Sequence, residues 1–255
     1  MSTPQTLTRP LAARVAGLPN TVENTHNPPI PEGVIEAAIQ ALNEGKTHYT
    51  DRPGILGLRK WVTDFIQKQY DVKLKPDAVT ITCGATEARY VAIKRLVKAE
   101  GAILCVGESN HIEGAAHLVG AKIVHEVGDA SAIKMIYATP KDSIETLKPL
   151  LEQAKANGWW MVWDMSQQPP TLSSPVNEGG SQFHPAQDAD IAAKVVNIGS
   201  FSDAMPGWRV GWMAGSEMAD KLRAYKQSMT ICSTSISQWA GMGLIEWASR
   251  RALAA

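Results

Sequence analysis

Short apolar runs alternate with helix-patterned segments along this chain, and that alternation limits its fold more than any other feature. The runs fall at residues 79–82, 102–106, 122–127, 133–138, 159–164, 194–198 and 210–214. Between and around them, residues 32–44, 56–69, 85–99, 114–120, 143–157, 216–226 and 235–252 repeat their apolar residues at helical spacing. Leu58, Trp61, Val62, Phe65 and Ile66 show that spacing well, while Gly45 and Gly158 stand where helices stop. Strands that are apolar throughout need cover on both faces. The pattern therefore predicts an α/β fold, a three-layer αβα sandwich with a mostly parallel sheet.

A chain of 255 residues suits one large domain of this kind with small appendages. We divide it into an N-terminal arm (1–33), the domain itself (34–234) and a C-terminal helix (235–255). Pro4, Pro10 and Pro19 break any helix in the arm, and Pro28-Pro29-Ile30-Pro31 is an extended entry to the domain. Arg9 and Arg14 without nearby acids leave organellar import as an alternative, but a plain arm and a cytoplasmic protein are the expectation. The 25 basic and 25 acidic residues cancel, so nothing favours nucleic acid or an anionic membrane. Cys83, Cys105 and Cys232 form no CxxC pair, and His111, His117 and His125 lack metal-ligand spacing; no metal is expected.

Ligands of open α/β sheets gather beyond the carboxyl ends of the strands. Gly84-Ala85-Thr86, Glu108-Ser109-Asn110, Asp164 and Ser200-Phe201-Ser202 all fall at such ends. Gly84 opens a helix, where free N–H groups and the helix dipole suit an anion, although a tight turn alone would use the same residues. Asp164 closes an apolar strand and can meet a ligand or cap the next segment. Arg209 adds a guanidinium able to bind an anion bidentately.

Residues 200–212 read SFSDAMPGWRVGW, 82–88 read TCGATEA, and His48-Tyr49-Thr50 precedes Gly54-Ile55 and Leu58-Arg59. Together these closely resemble the large domain of the fold-type I pyridoxal-phosphate (PLP) aminotransferases of class I and II. The resemblance implies that Gly84, Ala85, Thr86, Ser200, Ser202 and Arg209 surround a cofactor phosphate. It implies that Asp164 meets the pyridine nitrogen, and that Tyr49 reaches across a dimer interface to the partner's cofactor. In the same family a lysine forms the Schiff base, and its slot here is held by Asp203. A carboxylate cannot form an imine.

Other departures from the family accompany Asp203. The Asn-Pro-x-Gly loop expected between Pro140 and Ser143 is absent, Gln167 stands for a tyrosine, and Asn24 for a glycine. No aromatic occurs at 108–111 to stack on the pyridine ring. The family's smaller C-terminal domain, with its substrate-binding arginine, would follow residue 255. Lys194 lies at the far end of its strand from position 203, and Lys141 has nothing to place it nearby. The expected protein is a degenerate aminotransferase with no catalytic residue. It would act through binding or assembly, as a homodimer or with an aminotransferase-like subunit or other protein. Its ligand would be PLP held non-covalently, or a phosphate or other anion. An enzyme using PLP or a phosphate ligand without the lysine, and an ordinary aminotransferase, are the alternatives. With no small domain over it, the helix at 235–252 should expose Ile236, Trp239, Leu244 and Trp247 to a partner.

Overall fold

Each apolar run becomes a strand of one sheet: β1 (Val79–Thr82), β2 (Ala102–Cys105), β3 (Lys122–Val124), β4 (Ile133–Ala138), β5 (Trp160–Asp164), β6 (Val195–Ser200) and β7 (Gly211–Gly215). The computed structural model describes residues 30–167, 182–201 and 204–254. Within it the seven strands run in the order β1-β7-β6-β5-β4-β2-β3. β7 is antiparallel to both neighbours, β1 and β6, and the other pairs are parallel.

Alternate residues of the strands serve two separate cores. Leu104, Met161 and Trp163 point into one, which is closed by α1 (Glu32–Asn43), α2 (Leu56–Tyr70), α5 (Ile144–Asn157) and α8 (Ser235–Ala254). Ile103 and Val162 point into the other, beneath α3 (Gly84–Leu96), α4 (Glu113–Val119) and α7 (Ala219–Thr230). That is the predicted αβα sandwich, and the period-two alternation explains why its strands are apolar on both faces.

Some element boundaries differ from those expected. The third run stops at Val124 because β3 is a half-exposed edge strand, and His125 turns its ring nitrogen Nδ1 to the Cys105 carbonyl oxygen. A short helix, α6 (Ala189–Ala192), appears where none was expected, capped by the Asp188 side chain. The C-terminal helix also differs in its surroundings. Leu244 is fully buried, and Ile236, Trp239 and Trp247 are half-buried. The reason is a close crossing with α1: a Cβ at Gly243 would stand 2.2 Å from the Gly33 carbonyl oxygen, so the two backbones touch. α1 thus covers the face that was expected to lie open. It presents Ile35, Ile39 and Leu42 outward instead.

Candidate functional site

Strand register gathers the chemistry-bearing segments at one edge of the sheet. Gly211 pairs with Thr82 on one side and Ser200 on the other, and Asp164 pairs with Ile198. A Cβ at Gly211 would lie 2.5 Å from the Gly84 carbonyl carbon and 2.7 Å from the Ala85 nitrogen. Only a glycine lets β7 pass so close beneath the first turn of α3. Gly84 itself has φ 76° and lies against the Arg209 guanidinium, which a Cβ there would meet at 2.5 Å.

The result is a polar cavity of about 170 Å³. Gly84, Ala85, Thr86 and Arg89 of α3 line one side, with Ser166, Gln167, Ser200 and Arg209 opposite. The Ser200 hydroxyl donates to the Ser166 carbonyl oxygen at 3.5 Å. The Arg209 guanidinium and the N-terminus of α3 face this cavity, while the Arg89 guanidinium reaches it as one half of an ion pair. The cavity volume is smaller than the roughly 300 Å³ at which pockets for drug-sized ligands begin.

Asp164 takes the second of the two roles its position allows, accepting from the segment that follows its strand. Its side chain is fully buried, and each oxygen is engaged by the protein. Oδ2 accepts from Arg89 Nε at 2.6 Å and from the Tyr137 hydroxyl at 2.6 Å, while Oδ1 accepts from the Ser166 backbone N–H at 2.9 Å. The other arm of the guanidinium donates to the Ser166 hydroxyl at 2.5 Å. Burial works against the Arg89 charge, but Asp164 and Tyr137 outweigh it and the guanidinium is held more firmly protonated than usual. Burial, reinforced by Asp164, pushes the Tyr137 hydroxyl far above its ordinary range, so it stays a donor.

PLP needs a phosphate cradle and a partner for its ring nitrogen. The cradle side fits: Gly84, Ala85, Thr86, Ser200 and Arg209 converge on one cavity. The ring side does not fit, because Arg89 already supplies Asp164 with a cation and Asp164 is not among the described residues that line the cavity.

The remaining predicted residues are placed as follows. Ser202 and Asp203, like the arm up to residue 29, lie outside the described residues. Tyr49 is 79% exposed and does not line the cavity of its own chain. Gln167 is exposed at the cavity wall. Residues 139–142 form a tight turn in which Asp142 accepts from Thr139, so β4 passes directly toward α5 as the missing loop implied. Lys141 is exposed on that turn, and Lys194 donates to the Gly158 carbonyl at the opposite end of β6. Arg89, Tyr137 and Ser166 were not foreseen. A signal for Arg89 existed, since Ala85, Ala88, Ala92, Ile93 and Leu96 form a buried helical stripe into which a charge intrudes. Among the described residues no cluster of His, Cys, Asp and Glu could hold a metal ion, and no helix is long and apolar enough to cross a membrane.

Comparison with known proteins agrees with the fold. The family model for aminotransferase class I and II matches residues 20–126. The chain is 25% identical over 236 residues to a (5-formylfuran-3-yl)methyl phosphate transaminase of Methanocaldococcus jannaschii, covering 87% of this chain and 62% of that one. It is 25% identical over 245 residues to the aspartate aminotransferase of Thermotoga maritima, covering 86% and 63%. This chain thus spans a little under two thirds of the length of these relatives. A Mycobacterium tuberculosis aminotransferase superposes with a TM-score of 0.72 at 20% identity, over 89% of this chain and 64% of that one. The chain is similar in sequence to class I and II aminotransferases and shares the fold of solved aminotransferases.

Proposed function

We propose that this protein is an aminotransferase-like binding protein: it holds a phosphate-bearing or similar anionic ligand in the cradle and does not transaminate. The observation that carries this reading is the buried Arg89–Asp164 ion pair at 2.6 Å, which uses the carboxylate that a pyridinium would need. Asp203 in the lysine slot supports it from the sequence side, since a carboxylate forms no imine. What remains is an anion receptor built from α3, Ser200 and Arg209.

Titrating the protein with inorganic phosphate, PLP and pyridoxamine phosphate, by calorimetry and absorbance together, tests the reading. All three should bind with similar affinity, because only the phosphate is recognised, and PLP should show no imine band. Arg209→Ala removes a charge-assisted contact of about 1.5–3 kcal/mol and should weaken all three roughly ten- to hundredfold. An imine band, or amino-group exchange between an amino acid and a keto acid by the unmodified chain, would overturn it.

The same reading includes assembly. Ile35, Ile39 and Leu42 lie on one stripe of α1 and are 46%, 54% and 54% exposed, and Tyr49 projects at 79%. Such a stripe favours a second subunit, either a copy of this chain or a related one to which Tyr49 is lent. Light scattering on the purified protein should give a mass above the monomer. Ile39→Glu should return it to one chain; a wild-type protein that stays monomeric alone and with aminotransferase-like partners removes this part of the proposal.

A further inference from the structure

Beside the first turn of α3 lies a cluster that the cradle leaves unused. Lys226 of α7 is fully buried, and its Nζ has no hydrogen-bond partner among the described residues. A buried ammonium without an acceptor is costly to keep in a fold. Burial pulls its pKa below the usual lysine value, and Glu87 together with the thiols of Cys83 and Cys232 acts in the opposite sense.

The segments carrying the two thiols are tied together on both sides. Thr230 donates to Glu87 Oε1 at 3.0 Å, and Oε2 of the same carboxylate accepts from the Cys83 backbone N–H at 2.7 Å. Ser233, just after Cys232, donates to the Ile81 carbonyl oxygen at 3.0 Å, two residues before Cys83. Between those anchors Ile231 adopts φ 55°, which a β-branched residue rarely tolerates, so the connection holding Cys232 is strained. Cys83 is the N-cap residue of α3, at the positive end of that helix. Cys83 and Cys232 are both half-buried residues. Cys105 is the contrast: it is buried, and burial pushes its thiol up to about 11. Reactive cysteines occupy electropositive, partly exposed places, and structural ones do not.

We propose that Cys83 and Cys232 are an oxidation site, a thiol pair that a hydroperoxide closes into a disulfide with Lys226 as the buried countercharge. The Cys83 thiolate attacks one peroxide oxygen, and the O–O bond breaks. With hydrogen peroxide, the departing hydroxide takes up a proton and leaves as water, and Cys83 becomes a sulfenic acid. The Cys232 thiolate then attacks the Cys83 sulfur, the S–O bond breaks, and a second water leaves. Two thiols are oxidised by two electrons in all, and one peroxide is reduced to two waters.

The test is peptide mapping of the full chain, without reductant, after brief exposure to hydrogen peroxide. The expected product joins the Cys83 and Cys232 peptides with loss of two hydrogens, and leaves Cys105 a thiol. In Cys232→Ser the Cys83 sulfenic acid should accumulate and be trapped by dimedone. Lys226→Met, checked for folding by circular dichroism, should oxidise about tenfold more slowly once the countercharge is gone. The wild-type map decides the matter even if that variant does not fold. Oxidation of Cys105 as fast as Cys83 would overturn the proposal, as would absence of the Cys83–Cys232 link or an unchanged rate in folded Lys226→Met. So would a nitrogen–oxygen–sulfur link from Lys226 to either cysteine, which would make the lysine a reactant.

Discussion

Arg89→Leu should cost about 3–5 kcal/mol of stability, the usual penalty for leaving one member of a buried ion pair alone. Asp164 is fully buried and would keep only the Tyr137 hydroxyl and the Ser166 N–H as donors. For a chain of this size the loss corresponds to a melting temperature lower by roughly 10 °C. Arg89→Lys should cost less, because it keeps a charge near Asp164, yet it cannot also donate to Ser166 through a planar fork. Replacing both partners, in Arg89→Leu with Asp164→Leu, should recover a good part of the loss, since neither charge is then buried alone. Urea unfolding of the four proteins measures all of this. A loss under about 1 kcal/mol in Arg89→Leu would show that Asp164 finds water, and that the pair does not organise the site.

The same variant bears on ligand choice. With the guanidinium gone, Asp164 is free to meet a ring nitrogen, so PLP should gain affinity over inorganic phosphate. If the two ligands keep the same ratio in Arg89→Leu, the ion pair is not what excludes the ring. The stability result would stand, and the proposed basis for ligand selection would fall.

Most of the scaffold is legible in the sequence. β1 and β4 occupy the predicted residues, and Gly84, Asp164 and Ser200 lie at the strand ends to which they were assigned. These features depend on local periodicity, which a single sequence carries. The less legible features are pairings between distant residues. Arg89 and Asp164 are separated by 75 residues, and nothing at either position names the other. What could be seen was an arginine on the buried stripe of a helix, a conflict that only a buried anion resolves. The cover over α8 is hidden from the sequence for a similar reason, because it depends on Gly33 and Gly243 meeting across the fold. Lys226 presents the same kind of conflict on α7, one helical turn beyond buried Leu222.

Acid should destabilise this protein through one histidine before its carboxylates titrate. His184 is fully buried between Tyr70 and Trp163. Its Nδ1 accepts from the Ala186 backbone N–H at 3.0 Å, and its Nε2 lies 2.7 Å from Asn197 Oδ1. Nδ1 is therefore the acceptor and Nε2 carries the proton. A second proton would have to enter at Nδ1, against the Ala186 N–H. Burial accordingly pulls the His184 pKa from 6.5 down to about 4, with the Asn197 contact opposing it. Above pH 6.5 the ring is neutral in both folded and unfolded chains and the folded state is not penalised. Between pH 6.5 and 4 the unfolded chain takes up a proton that the folded chain refuses, so stability falls as pH falls. At about 1.4 kcal/mol per pH unit the full loss is about 3 kcal/mol, and below pH 4 this contribution levels off. Urea midpoints measured from pH 7.5 to 4 should show this slope in the wild type. His184→Leu should be less stable at neutral pH, having lost the cap to Ala186, but nearly flat across the same window. A slope that survives the substitution would assign the acid sensitivity to groups other than His184.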